Sequence, residues 1–157
     1  MRVFIITDLE GASGVDHADM IEPVTEGYRK ACEYLMADTN AAVEGAFAGG
    51  ADEVFVVDGH GGGGNFIDGA LHPRAQMPGN EKVFYGTWEG YDALVCVGAH
   101  AMAGTTRAFL DHTQCAKSIF DYKVDGKCYG EMGQQAITAG FFGFPLVAVC
   151  GDEAASR

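Results

Sequence analysis

Positive charge is what this sequence has least of. Ten Lys and Arg stand against 22 Asp and Glu, a formal net charge of −12. That balance argues against nucleic acid or an anionic membrane as the main partner. It leaves cations, metals and small neutral or amine-bearing substrates. Cys-x-x-Cys is absent and the five cysteines make an odd count, so neither a full disulfide framework nor a structural zinc knuckle is indicated. A reduced cytoplasm is the expected compartment. No apolar run is long enough to span a bilayer; the stretch from Phe141 to Cys150 is short and broken by Gly143 and Pro145. The N-terminus reaches Asp8 before a secretory apolar core could form. A Gly-X-Y period, internal repeats, low-complexity tracts and Pro/Ser-rich linkers are also missing.

What is present is an ordinary globular composition. The 157 residues, 48% apolar and 20% charged, suffice for one domain with a real core, and residues 1–157 are read as that domain. Glycine is in surplus at 23 residues, which implies tight turns and close backbone approaches. Short apolar, β-branched runs predict buried strands at Val3 to Thr7, Glu53 to Asp58, Ala93 to Ala99 and Pro145 to Cys150, with a shorter one at Lys82 to Gly86. Helical spacing of Tyr28, Cys32, Leu35, Met36, Val43 and Phe47 predicts a helix from about Thr25 to Phe47, stopped by Gly49-Gly50. A second helix is expected from Glu131 to Ala139, closed by Gly140. Asp125-Gly126, between Ile119 to Val124 and Lys127 to Tyr129, is a hairpin signal. The alternation predicts an α/β fold, a mostly parallel sheet flanked by helices in three layers, with an inserted antiparallel hairpin. Glu153 to Arg157 read as the first turn of a helix that goes no further, so the chain is expected to be a fragment.

Ligands of open α/β sheets bind beyond the carboxyl ends of the strands. Those ends carry Asp8-Leu9-Glu10, Asp58-Gly59-His60, Ala99-His100 and Gly151-Asp152. Carboxylate and imidazole are the donors a zinc-type ion accepts, and carboxylates can bridge two ions. Any one such acid is more often a turn or capping residue; their coincidence at four strand ends carries the signal. Gly61-Gly62-Gly63-Gly64 lacks the Lys-Ser/Thr of a phosphate loop, and a flexible loop beside His60 is the better reading. Taken alone, His112 reads as a surface histidine with the option of proton transfer, and Glu131 as an acid favoured at a helix N-terminus. His17 and His72 carry no signal, and Cys115 reads as a free thiol.

The motifs together resemble a known family. Asp8-Leu9-Glu10-Gly11-Ala12-Ser13-Gly14 resembles the D-x-E-G-x-S-G signature of the D-aminopeptidase family of zinc metallopeptidases. Val57-Asp58-Gly59-His60-Gly61, Gly98 to Thr105, Leu110-Asp111-His112-Thr113 and Gly130-Glu131-Met132-Gly133 are similar to its later motifs, in family order. The resemblance implies a two-zinc aminopeptidase with metal ligands at Asp8, Glu10, His60, His100 and Glu131, Asp8 bridging, and a catalytic histidine at His112. It implies a short peptide or amide substrate with an N-terminal D-residue such as D-alanine, cleaved by metal-activated water. It also implies assembly as a ring-shaped homo-oligomer such as a decamer. Family chains continue well past the Gly151-Asp152 strand, and Cys115 stands where Ser is more usual. Two further readings stay open: a two-metal hydrolase of another ester, amide or phosphoester class, and a non-catalytic metal-binding or assembly module. Arg107 is the only basic residue close to the third and fourth motifs, which argues against phosphate.

Overall fold

The computed structural model describes residues 1–78 and 88–157. The strand expected at Lys82 to Gly86 lies outside them. The elements run β1 (Arg2–Thr7), α1 (Glu26–Ala48), β2 (Glu53–Asp58), β3 (Ala75–Gln76), β4 (Ala93–Ala99), β5 (Lys123–Val124), β6 (Lys127–Cys128), α2 (Glu131–Phe141) and β7 (Leu146–Gly151). The main sheet has the order β3-β2-β1-β4-β7, and every neighbouring pair is parallel.

Both faces of β1, β2 and β4 are covered, which is why these inner strands read as unbroken apolar runs. Val3 and Ile5 of β1 pack with Val54, Val56 and Val97 against Val43 of α1. Phe4 and Ile6 point the other way, with Phe55, Val57 and Leu94, against Ala139 of α2. The result is the expected three-layer α/β fold. From β1 the chain steps to β2 and β3 on one side, then crosses to β4 on the other. Right-handed crossovers in opposite directions place α1 and α2 on opposite faces. The reversal opens a crevice at the carboxyl ends of β1 and β4, where such sheets bind ligands.

Local chemistry sets the element ends. Thr25 Oγ1 accepts a hydrogen bond from Tyr28 N (2.9 Å) and caps α1. Gly140 does not close α2: the helix runs on to Phe141, and the left-handed turn falls at Gly143 (φ 90°). β7 begins one residue later than expected, because Pro145 has no N–H for the ladder, although its carbonyl accepts from Leu94 N (2.8 Å). The hairpin forms around Asp125 (φ 49°) and Gly126 (φ 79°), both left-handed as a two-residue turn requires. Its strands are shorter than expected. Ser118 N and Ile119 N are engaged with Cys115 O in a local turn, so they are unavailable for pairing. Past β7, Asp152 Oδ1 accepts from Ala155 N (2.6 Å) and shapes a single turn. Among the described residues no helix is long and apolar enough to cross a membrane.

Candidate active site

Six side chains converge at the crevice. Asp8 and Glu10 follow β1, His60 follows β2, His100 follows β4, Glu131 opens α2, and His112 comes from the segment between β4 and β5. Asp8 stands between two imidazoles, with Oδ1 3.1 Å from His60 Nδ1 and Oδ2 3.3 Å from His100 Nε2. Glu10 Oε2 lies 2.9 Å from His60 Nδ1. Glu131 Oε1 lies 3.4 Å from His100 Nε2 and accepts from Gln114 N at 2.7 Å. His112 stacks on His100, with ring centroids 4.0 Å apart. Its Nε2 is 3.8 Å from Glu131 Oε1 and 3.9 Å from Glu10 Oε1.

Two glycines bring these strand tails together. An added Cβ at Gly98 (φ +73°) would stand 1.9 Å from Asp8 O, and one at Gly11 would stand 1.9 Å from Ala99 O. The tails of β1 and β4 are therefore in direct backbone contact, joined by Asp8 N to Val97 O (2.7 Å) and Gly11 N to Gly98 O (2.8 Å). Backbone carbonyls also orient two of the imidazoles. His100 Nδ1–H donates to Ala101 O (2.9 Å) and His112 Nδ1–H to Leu110 O (2.8 Å). Each Nε2 is left facing the carboxylates at the centre.

The electrostatics are those of a cation site. Burial pushes the Asp8 carboxyl upward, but the His100 and His60 imidazoles beside it outweigh burial and hold the group well below the carboxylate range. Burial disfavours the charged imidazoles, yet the carboxylates prevail. Asp8 and Glu10 lift His60 to about 10, and Asp8 and Glu131 lift His100 to about 11. The carboxylates thus draw positive charge to this point, whether from protons or from a metal. His100 Nε2 is buried and makes no hydrogen bond, an orphan that a metal bond would satisfy. Donor atoms of Asp8, Glu10 and His100 lie within 4.8 Å of one another, and so do those of His100, His112 and Glu131. Imidazole and carboxylate donors in this number suit zinc. His112 belongs to the second set, so the geometry allows it a ligand role as well as the proton-transfer role implied for it.

Two acidic strand ends do other work. Asp58 turns away from the cluster and accepts from Asn65 N (2.7 Å) and Asn65 Nδ2 (2.9 Å). Asn65 also donates to His60 O (2.8 Å) and accepts from Tyr28 Oη (2.7 Å). This network closes the Gly59–Gly64 loop and places His60. Asp152 shapes the turn after β7. Of the remaining histidines, His17 pairs with Asp16 at the surface and His72 lies against Phe47. Cys115 is exposed.

A cavity of about 520 Å³ opens over the cluster. Gln134, Gln135 and Thr138 of α2 line it together with Glu131, and no Lys or Arg does so among the described residues. Residue type alone does not mark these three as site residues. Their signal was the spacing 131, 134, 135, 138, which is one polar face of a helix.

A family model described as D-aminopeptidase matches residues 1–157. The chain belongs to the D-aminopeptidase family. A D-aminopeptidase of Bacillus subtilis (strain 168) is 26% identical over 161 residues, covering 100% of this chain and 58% of that protein. The solved structure of the Zn-dependent D-aminopeptidase DppA from Bacillus subtilis, described as a self-compartmentalizing protease, superimposes with a TM-score of 0.90 at 26% identity. It matches 99% of this chain and 57% of its own. This D-aminopeptidase-family chain thus spans less than two thirds of the length of the relatives it matches.

Proposed function

We propose that this chain forms the catalytic portion of a zinc-dependent aminopeptidase that removes an N-terminal residue, D-alanine or another D-amino acid, from short peptides or amides. The observation that carries the reading is the buried, unbonded His100 Nε2 facing Asp8 and Glu131 at the switch point of the sheet. Asp8, Glu10, His60, His100 and Glu131 would hold two ions. Asp8 would serve both imidazoles, with Oδ1 toward His60 and Oδ2 toward His100. Zinc held there supplies Lewis-acid activation of water and of the scissile carbonyl. His112, fixed at Nδ1 by Leu110 O, takes up a proton at Nε2 as water adds and returns it to the departing amine. The acidic cluster suits a substrate's free ammonium group, and the lack of a basic residue among the described residues that line the cavity disfavours a phosphoester.

The D-preference and self-assembly follow the relatives, a D-aminopeptidase and a self-compartmentalizing protease. Five free cysteines fit a reducing compartment, the cytoplasm. The test is metal analysis of the purified protein, followed by zinc-supplemented hydrolysis of D- and L-alanyl p-nitroanilide and analytical ultracentrifugation. The expected result is about two zinc ions per chain, turnover of the D-isomer and a discrete oligomer. A folded protein with no affinity for zinc would overturn the reading.

A further inference from the structure

Beyond Glu131, the polar face of α2 takes no part in the proposed metal set, yet it lines the same cavity. Glu131, Gln134, Gln135 and Thr138 recur at helical spacing and all line that cavity. Their hydrogen bonds to the protein decide what each has left to offer. Gln135 Oε1 accepts from the buried thiol of Cys96 on β4, at 2.9 Å. This contact places the carboxamide oxygen toward the sheet and the NH₂ group away from it. Among the described residues that NH₂ group has no acceptor. Gln134 Nε2 donates to Tyr129 O (3.4 Å) and Thr138 Oγ1 donates to Gln134 O (2.9 Å), which leaves both side chains with acceptor oxygens. The wall therefore presents an oriented donor flanked by acceptors and, among the described residues, no positive charge to pair with a carboxylate. That set is complementary to a peptide unit.

Distance points to which unit. Gln135 stands four residues along α2 from Glu131, about 6 Å at 1.5 Å per residue. An extended peptide advances about 3.3–3.6 Å per residue. A substrate whose scissile carbonyl lies at Glu131 therefore brings its next one or two peptide units alongside Gln135. Resting on the aminopeptidase reading above, we propose that Gln135 is a specificity-determining residue. It donates from Nε2 to the backbone carbonyl of the peptide unit that follows the scissile bond, and Cys96 is the positioning residue that aims it. The preferred substrate class is then an uncharged peptide chain of three residues or more, rather than an aminoacyl group on a leaving group without a peptide bond.

The test compares wild type with Gln135→Met, which keeps the length and removes the donor. With zinc-loaded protein, kcat/KM is measured for a D-alanyl tripeptide and for D-alanyl p-nitroanilide. The ratio of the two should fall about tenfold in the variant, mainly through KM for the tripeptide. Cys96→Ser, which retains a donor, should hold the ratio near the wild-type value, while Cys96→Ala should lower it. A second readout needs no turnover: calorimetric titration of the metal-free protein with the same tripeptide should show weaker binding to Gln135→Met by a similar factor. An unchanged ratio, or equal tripeptide binding by the metal-free wild type and variant, overturns the assignment. If the zinc-loaded wild type cleaves neither substrate, the aminopeptidase reading fails instead, and the calorimetric comparison still decides the subsite.

Discussion

A methyl group at position 98 would lie 1.9 Å from the carbonyl oxygen of Asp8 on a backbone already in the left-handed region. Gly98→Ala therefore combines a steric clash with a conformational penalty, and neither can relax without parting β1 from β4. The expected cost is about 2–4 kcal/mol, measured as a lower urea midpoint. Zinc affinity should fall with it, because Asp8 and His100 depend on that contact for their spacing. His112 should behave differently. Its Nδ1 is held by Leu110 O and its Nε2 stands 3.8–3.9 Å from two carboxylates, farther than the oxygens that face His60 and His100. His112→Ala is expected to lower kcat by about 10²–10⁴ while zinc content stays at the wild-type level. Loss of zinc in that variant would reassign His112 as a ligand.

The loop after β2 shows how an element can serve the site without touching it. Asp58 is 1% exposed and receives both the backbone and the side-chain donors of Asn65, which in turn holds His60 O and Tyr28. Asp58→Ala would leave those donors buried and unpaired. The expected cost is about 2–3 kcal/mol in thermal unfolding, with about a 10–100-fold loss of zinc affinity in competition with a chelator. A variant destabilised to that degree with unchanged zinc affinity would show that the loop holds His60 without this network. Asp58 also marks the limit of what could be read from the chain alone. The strand ends at Asp8, His60 and His100 were legible because parallel topology sends all carboxyl ends to one edge. Whether an acid there turns inward or back into its own loop depends on side-chain partners such as Asn65, and no periodicity encodes them. Glu131 and His112 became candidates only through family resemblance, since an acid at a helix start and a histidine in a loop are common for other reasons. The polar stripe of α2 was present in the spacing, but its meaning depended on knowing that a cavity, not solvent, lies in front of it.

At the scale of the whole molecule, the two edges that the described residues give the sheet are unlike. β3 has two residues, too short to template another strand, whereas β7 has six and carries the sequence Leu-Val-Ala-Val-Cys-Gly with no charge. Val147 is 58% exposed, and Phe141 at the end of α2 is 83% exposed. A long, uncharged, apolar edge is a pairing surface. Opposing it is the net charge of −12, whose repulsion acts over about 8 Å at physiological ionic strength and fades as salt is added. Association of this chain should therefore rise with salt and concentration in sedimentation velocity. Val147→Lys separates the two causes. It reduces the net charge to −11 (−12 + 1), so if global repulsion governed association the variant would associate slightly more. If the β7 edge governs it, a lysine on that edge should lower association at every salt concentration. A variant that associates as wild type does would place the self-association surface elsewhere on the molecule.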